Sequence, residues 1–190
     1  MKSGTRVLGV AESYDGERLP GEQSTFAGAV VRVDRVVDGF SFASLTIGGT
    51  DATASIIELY FNLAREDVQY LLLSGIAPAW YNLVDLEEIA DATDRPICAV
   101  SFEASSGLED ALRVAFSGKA LDHRLAIYER QPARQEIEVN GHNLYWRGVG
   151  IGDDEARELL SAVTPVGGRP EPLRVARLAA RAADRFREDL

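Results

Sequence analysis

Cysteine is almost missing from this chain. Cys98 is the only one in 190 residues, so no internal disulfide can form and the core alone must hold the fold. A lone thiol fits a reducing cytoplasm. Two histidines, His123 and His142, leave too few soft donors for a zinc-type centre. Long apolar runs are also missing. Nothing approaches the ~18 residues of a membrane span, and the short run 7–10 meets Glu12 too soon for a secretory signal. Lysine is scarce: Lys2 and Lys119 are the only two among 20 basic residues, against 30 acids, for a net charge of -10. An acidic surface poor in lysine suits a salt-rich, halophilic cytoplasm, where screening weakens repulsion between carboxylates. A GC-rich genome, which favours arginine, gives the same bias. Net negative charge ordinarily argues against a nucleic-acid partner, and high salt removes much of that argument. P-loop, nucleophile-elbow and zinc signatures are all lacking.

What is present reads as one domain, residues 1–190, with 46% hydrophobic and 26% charged residues. Residues 7–12 form a first buried strand, and the polar stretch 14–22 is a loop. Residues 25–37 are a long β-rich run, Asp38-Gly39 is a hairpin signal, and 40–47 alternates as a third strand. Gly48-Gly49-Thr50-Asp51 then breaks the strand. Thr50 or Asp51 caps a helix that runs to about residue 65. A short apolar strand at 68–73 follows, then a helix at 82–92 and a strand at 96–102. Helices at about 108–116 and 121–128 lead to a β-ribbon, 136–139 and 144–147, turning at Asn140-Gly141. Two last helices span about 153–163 and 172–186. An antiparallel meander followed by helix–strand–helix–strand predicts an α/β fold, a mixed sheet with helices on its faces, in the order of a ribonuclease H-like core. A Rossmann fold would alternate from the first strand. Gly148-Val149-Gly150-Ile151-Gly152 follows a ribbon late in the chain and lacks the spacing of a dinucleotide loop.

Five phrases carry a family resemblance: Val7-Leu8-Gly9-Val10, Gly49-Thr50-Asp51-Ala52-Thr53, Leu73-Ser74-Gly75-Ile76-Ala77, Tyr81-Asn82-Leu83-Val84-Asp85 and Pro170-Glu171-Pro172-Leu173-Arg174-Val175-Ala176. In this order they resemble the archaeal endonuclease dU family, formerly domain of unknown function family 99, which is similar to endonuclease V. The resemblance implies a ribonuclease H-like fold and a divalent-metal-dependent endonuclease acting on deoxyuridine in DNA, hence a repair role. Such chemistry needs an activated water and relief of charge on phosphate, which Mg²⁺ or Mn²⁺ held by carboxylates supplies.

The candidate acids follow from that resemblance. Endonuclease V-like proteins carry an aspartate at the position of Ala11, and the surviving acid is its neighbour Glu12, either a metal ligand or a solvated strand end. Asp51 lies at a strand-to-helix switch, as a catalytic metal ligand or as a helix cap. Asp85 is either a third catalytic acid or a residue placed for the helix dipole. Trp80 and Tyr81 either stack on a flipped base or pack in the core, and Asn82 either caps a helix or contacts the ligand. Arg174 and Arg177, one turn apart, reach phosphate or form ordinary surface ion pairs. No carboxylate follows the strand at Ser74-Gly75, and no lysine follows Val100. Two readings therefore stand: a deoxyuridine endonuclease, and a catalytically degenerate relative that binds nucleic acid or a protein partner.

Overall fold

Neighbouring side chains on a strand face opposite ways, and the first strand is apolar in both registers. It must therefore be covered twice. The computed structural model, which describes residues 1–188, shows how. Strand β1 (Arg6–Glu12) lies inside a seven-stranded sheet of order β3-β2-β1-β4-β5-β7-β6. The other strands are β2 (Gln23–Arg32), β3 (Val37–Thr46), β4 (Tyr70–Ser74), β5 (Ile97–Ser101), β6 (Gln135–Val139) and β7 (His142–Val149). β1, β2 and β3 form the antiparallel meander, β4 and β5 run parallel to β1, and the β6–β7 ribbon joins antiparallel to β5.

Leu8 and Val10 of β1 pack on one face against α1 (Ala52–Asn62) and α3 (Leu86–Thr93). Val7 and Ala11 pack on the other, beneath α6 (Asp153–Val163) and α7 (Glu171–Glu188). The helices α4 (Glu109–Ala115) and α5 (Gly118–Arg130) close one end, over Leu83 and Ile76. Gly9 sets the approach of α7, because a Cβ there would stand 2.3 Å from the backbone carbon of Pro172. Cys98 is a buried small hydrophobe whose thiol is pushed up to about 12 by burial. No described helix is long and apolar enough to cross a membrane.

Three local expectations shift. The first hairpin turns before Val37 rather than at Asp38-Gly39, with Arg35 in the left-handed region at φ 72°. Asp38 and Gly39 lie inside β3, where Arg6 and Arg65 both bind the Asp38 carboxylate. The helix expected from residue 82 starts at Leu86. Before it comes a single turn, α2 (Pro78–Tyr81), in which Ala79, Trp80 and Tyr81 all have positive φ. Gly148 belongs to β7, paired with Cys98, and is no cofactor loop.

The three parallel strands end at one edge of the sheet. Ligand sites of open α/β sheets lie at that edge, where helix connections leave the strand ends uncovered.

Candidate functional site

A cleft of about 320 Å³ opens at this edge. Its polar lining includes Glu12 from the end of β1, Ser74 from β4, Ser101 from β5, Glu103 and Ser105 just beyond β5, Arg134, Arg147 from β7, and Arg177 from α7. Glu12 pairs with Phe26 at the last rung of β1. Its side chain is only 13% exposed, and Oε1 lies 3.8 Å from Nη1 of Arg177. Oε2 is buried and has no hydrogen-bond partner. Burial pushes the Glu12 carboxyl above its usual value of 4.5, and Arg177 offsets only part of that rise. Glu12 faces opposite to Ala11, as strand geometry requires. Ala11 is sealed against Ala176 of α7, whereas Glu12 stands beyond Val10 and turns into the cleft where the strand ends.

The other sequence candidates lie elsewhere. Both Asp51 oxygens accept from the Thr46 backbone N–H at 3.1 Å, and Oδ2 also accepts from the Thr46 hydroxyl at 2.8 Å. Oδ1 accepts from Asn82 Nδ2 at 2.5 Å. Burial works against ionisation of Asp51, but the donors Asn82 and Thr46 prevail and hold its carboxyl below the usual range. Asp51 occupies the cap position of α1 without bonding it. Asn82 does that instead: its Oδ1 accepts from the Ala52 N–H at 3.0 Å, and its Nδ2 donates to the Thr46 carbonyl at 2.8 Å. Asp85 caps α3, accepting from the N–H groups of Glu87 and Glu88, and pairs with Arg130. Trp80, Tyr81 and Phe116 form an aromatic cluster, with Trp80 5.1 Å from Phe116 and Arg124 stacked 3.8 Å over the Phe116 ring. Arg174 pairs with Glu171 on the surface. Glu12 thus lines the cleft, while Asp51, Asn82, Asp85, Trp80 and Tyr81 are not among its lining residues.

Arg134 and Arg147 are functional candidates that sequence reasoning passed over. Neither sits in a motif. They reach the cleft only because β7 returns alongside β5, bringing Arg147 opposite Ala99 and Tyr145 opposite Ser101.

Among the described residues, no group of three or more His, Cys, Asp or Glu side chains is placed to hold a metal ion. The oxygen donors of the cleft include two carboxylates, the half-buried Glu12 and the exposed Glu103, with the hydroxyls of Ser74, Ser101 and Ser105. That set fits one hard cation whose other positions go to water and phosphate oxygens. With no third acid, histidine or cysteine grouped beside them, it does not fit a carboxylate-bridged pair of ions.

The family model of endonuclease dU matches residues 3–184. The chain belongs to the endonuclease dU family. Archaeal relatives of this family member include a UPF0215 protein of Pyrobaculum aerophilum, 33% identical over 96% of each chain. Another, from Thermococcus kodakarensis, is 30% identical over 96% of this chain and 93% of the relative. Among solved structures, a protein of unknown function from Archaeoglobus fulgidus superposes with a TM-score of 0.79 at 26% identity, covering 94% of this chain and 98% of that one. Human ENDOV gives 0.67 at 15% identity, over 97% and 86%. Endonuclease V of Ciona intestinalis, solved with DNA containing an inosine, gives 0.62 at 11%, over 96% and 87%. The endonuclease dU family member therefore has the endonuclease V fold, a mixed seven-stranded sheet with helices on both faces.

Proposed function

We propose that this protein is a divalent-metal-dependent DNA endonuclease of the deoxyuridine-cleaving, repair kind, working at the Glu12 cleft. The observation that carries the reading is the buried, unpartnered Oε2 of Glu12 at the C-terminal edge of the parallel strands. A carboxylate oxygen removed from water without a partner costs about 1–3 kcal/mol or more, so the native state tolerates it where a ligand completes it. Family membership and the fold shared with a DNA-bound endonuclease V support the choice of DNA. Bound at Glu12, Mg²⁺ or Mn²⁺ supplies an activated water and relief of phosphate charge. Glu12 holds the ion. Arg177 balances the carboxylate when the ion is absent and faces phosphate when it is present. Ser74 and Ser101 offer hydroxyls to water or substrate. Asp51, Asn82 and Asp85 lie outside the cleft lining and touch neither ion nor substrate.

The test is cleavage of a labelled oligonucleotide bearing one deoxyuridine, with Mg²⁺ or Mn²⁺ in molar potassium chloride, beside the Glu12→Gln variant. The variant should lose at least about 100-fold in rate, the upper end of what even an outer-shell partner contributes to a metal site. Equal rates in the two proteins would refute the assignment.

A second reading, binding of nucleic acid without cleavage, is favoured by Ala11 and by Ser74 standing where endonuclease V-like proteins carry acids. Mn²⁺ separates the two. A working ion site raises the melting temperature by linkage in the wild type and not in Glu12→Gln. A cleft without one responds to Mn²⁺ only as it does to any salt.

A further inference from the structure

The chain has a net charge of -10, yet three guanidinium groups line one small cleft. Two of them are held without neutralisation. Arg147 donates from Nη1 to the Pro132 carbonyl at 2.5 Å and from Nη2 to the Tyr128 hydroxyl at 3.3 Å. Its guanidinium lies 5.4 Å from the centre of the Tyr128 ring. Arg134, just before β6, donates from Nη2 to the Ser101 hydroxyl at 2.9 Å and to the Glu103 carbonyl, and from Nη1 to the Ser105 carbonyl at 3.2 Å. It stacks 4.2 Å over the Tyr145 ring. All of these partners are carbonyls, hydroxyls or rings. The exposed Glu103 also lines the cleft, but no carboxylate, Glu103 included, forms an ion pair with either arginine among the described residues. Both residues are half-buried.

Arginine cannot shed its charge. Two cations fixed close to Arg177 in a partly desolvated cleft repel one another, and an anion relieves that repulsion. A guanidinium has five N–H donors, so the contacts just described leave donors on both for a ligand. Their orientation is fixed in advance by tyrosine rings and carbonyls, which lowers the entropy lost on binding.

We propose that Arg134 and Arg147 form a phosphate clamp, which seats one phosphodiester of a single nucleic-acid strand in the cleft beside Glu12. The proposal rests on the reading that this cleft takes nucleic acid. Phosphate suits the pair because each guanidinium is a planar fork of donors that matches phosphate oxygens, and both line the same cleft. Such contacts set the register of the strand and do not read its sequence.

The test is metal-free binding, so that it stands apart from cleavage. The probe is a fluorescein-labelled single-stranded 20-mer with one deoxyuridine, followed by anisotropy in EDTA across a series of potassium chloride concentrations. The Arg134→Gln/Arg147→Gln double variant should bind about 10-fold more weakly. Its slope of log K against log salt should fall by about 0.7, since the clamp holds one phosphate and each phosphate contact on a single strand contributes ~0.7. Arg113→Gln, away from the cleft, should bind as wild type. Should the double variant fail to fold, the single Arg134→Lys and Arg147→Lys variants carry the test, with affinity reduced and slope retained. A folded double variant with wild-type affinity and slope would overturn the clamp, as would a wild type that binds no DNA. Wild-type binding without cleavage in Mg²⁺ or Mn²⁺ would overturn the nuclease reading and leave the clamp standing.

Discussion

Glu12 and Ala11 are adjacent, and the difference between them is one of direction. Ala11 faces α7 and is covered; Glu12 stands at the last rung with its side chain turned into the cleft. The native state holds the Glu12 carboxyl above its usual value because burial disfavours the charge. Below about pH 4.5 the carboxyl is protonated in folded and unfolded chains alike, and no penalty arises. As pH rises from there through the raised folded value, the folded chain keeps a proton that the unfolded chain has released, so stability falls. Glu12→Gln removes the ionisation. Its melting temperature should match wild type near pH 4 and exceed it at pH 7 to 8, even as cleavage is lost. A variant less stable than wild type at pH 8 would show that the ionised carboxylate is satisfied and not strained. Asp51 has the opposite balance: its donors outweigh burial. Its stabilising contribution is present above the usual 3.8 and lost as pH falls through its lower folded value.

At the scale of elements, the site depends on how closely α7 lies on β1. The contact is made at Gly9, where an added Cβ would meet Pro172 backbone at 2.3 Å, and neither element is a flexible side chain that could give way. Gly9→Ala should therefore lift the start of α7, widening the gap between Arg177 and Glu12. Overpacking of this kind costs about 1–3 kcal/mol or more. For a chain of this size that corresponds to a fall of roughly 2–4 °C per kcal/mol, to be read by thermal melting. An unchanged melting temperature would mean that α7 is not seated by this contact. The strand-to-helix switch shows the same division between local and distant control. The sequence places a cap at Thr50 or Asp51, and Asp51 does occupy the cap position. The bonding cap, Asn82, comes from 30 residues further on, delivered by a turn of three left-handed residues. No pattern within the helix itself could announce that partner. The same turn explains why the helix expected at 82 begins at Leu86: Asn82 is committed to α1 and Asp85 to the α3 cap.

For the whole molecule the relevant quantity is the charge of -10. The excess of acids over bases makes the surface repel itself, and screening relieves that repulsion most strongly for exposed pairs. Raising potassium chloride from 0.1 M to 2 M should raise the melting temperature by several degrees, whereas a chain adapted to dilute cytoplasm would respond little. A flat response would assign the lysine-poor composition to codon usage rather than to salt. Salt has a second consequence here. It weakens phosphate binding in proportion to the number of contacts, so a cleft that works in a salt-rich cell gains from fixed, desolvated arginines over a diffuse basic surface.

Apart from the single turn α2, the sequence by itself determined the element types and their order, because the periods of 2 and 3.6 are local and the meander precedes the first helix. It determined the family, through five phrases in order, and it singled out Glu12 as the acid beside a missing one. It also fixed the ribbon at Asn140-Gly141, both of which have positive φ. Tertiary structure alone decided which candidates meet. Asp51, Asp85, Trp80 and Tyr81 carry residue types suited to catalysis or base stacking; in the structure Asp51 accepts from Thr46 and Asn82, Asp85 caps α3, and the two aromatics pack with Phe116. Arg134 and Arg147 carry no motif, and the fold brings them to the cleft. The physical reason is strand pairing. A search along the strand that ends at Ser101 finds no cation, since the charge there comes from the antiparallel neighbour β7 and the loop before β6, more than 30 residues later in the chain.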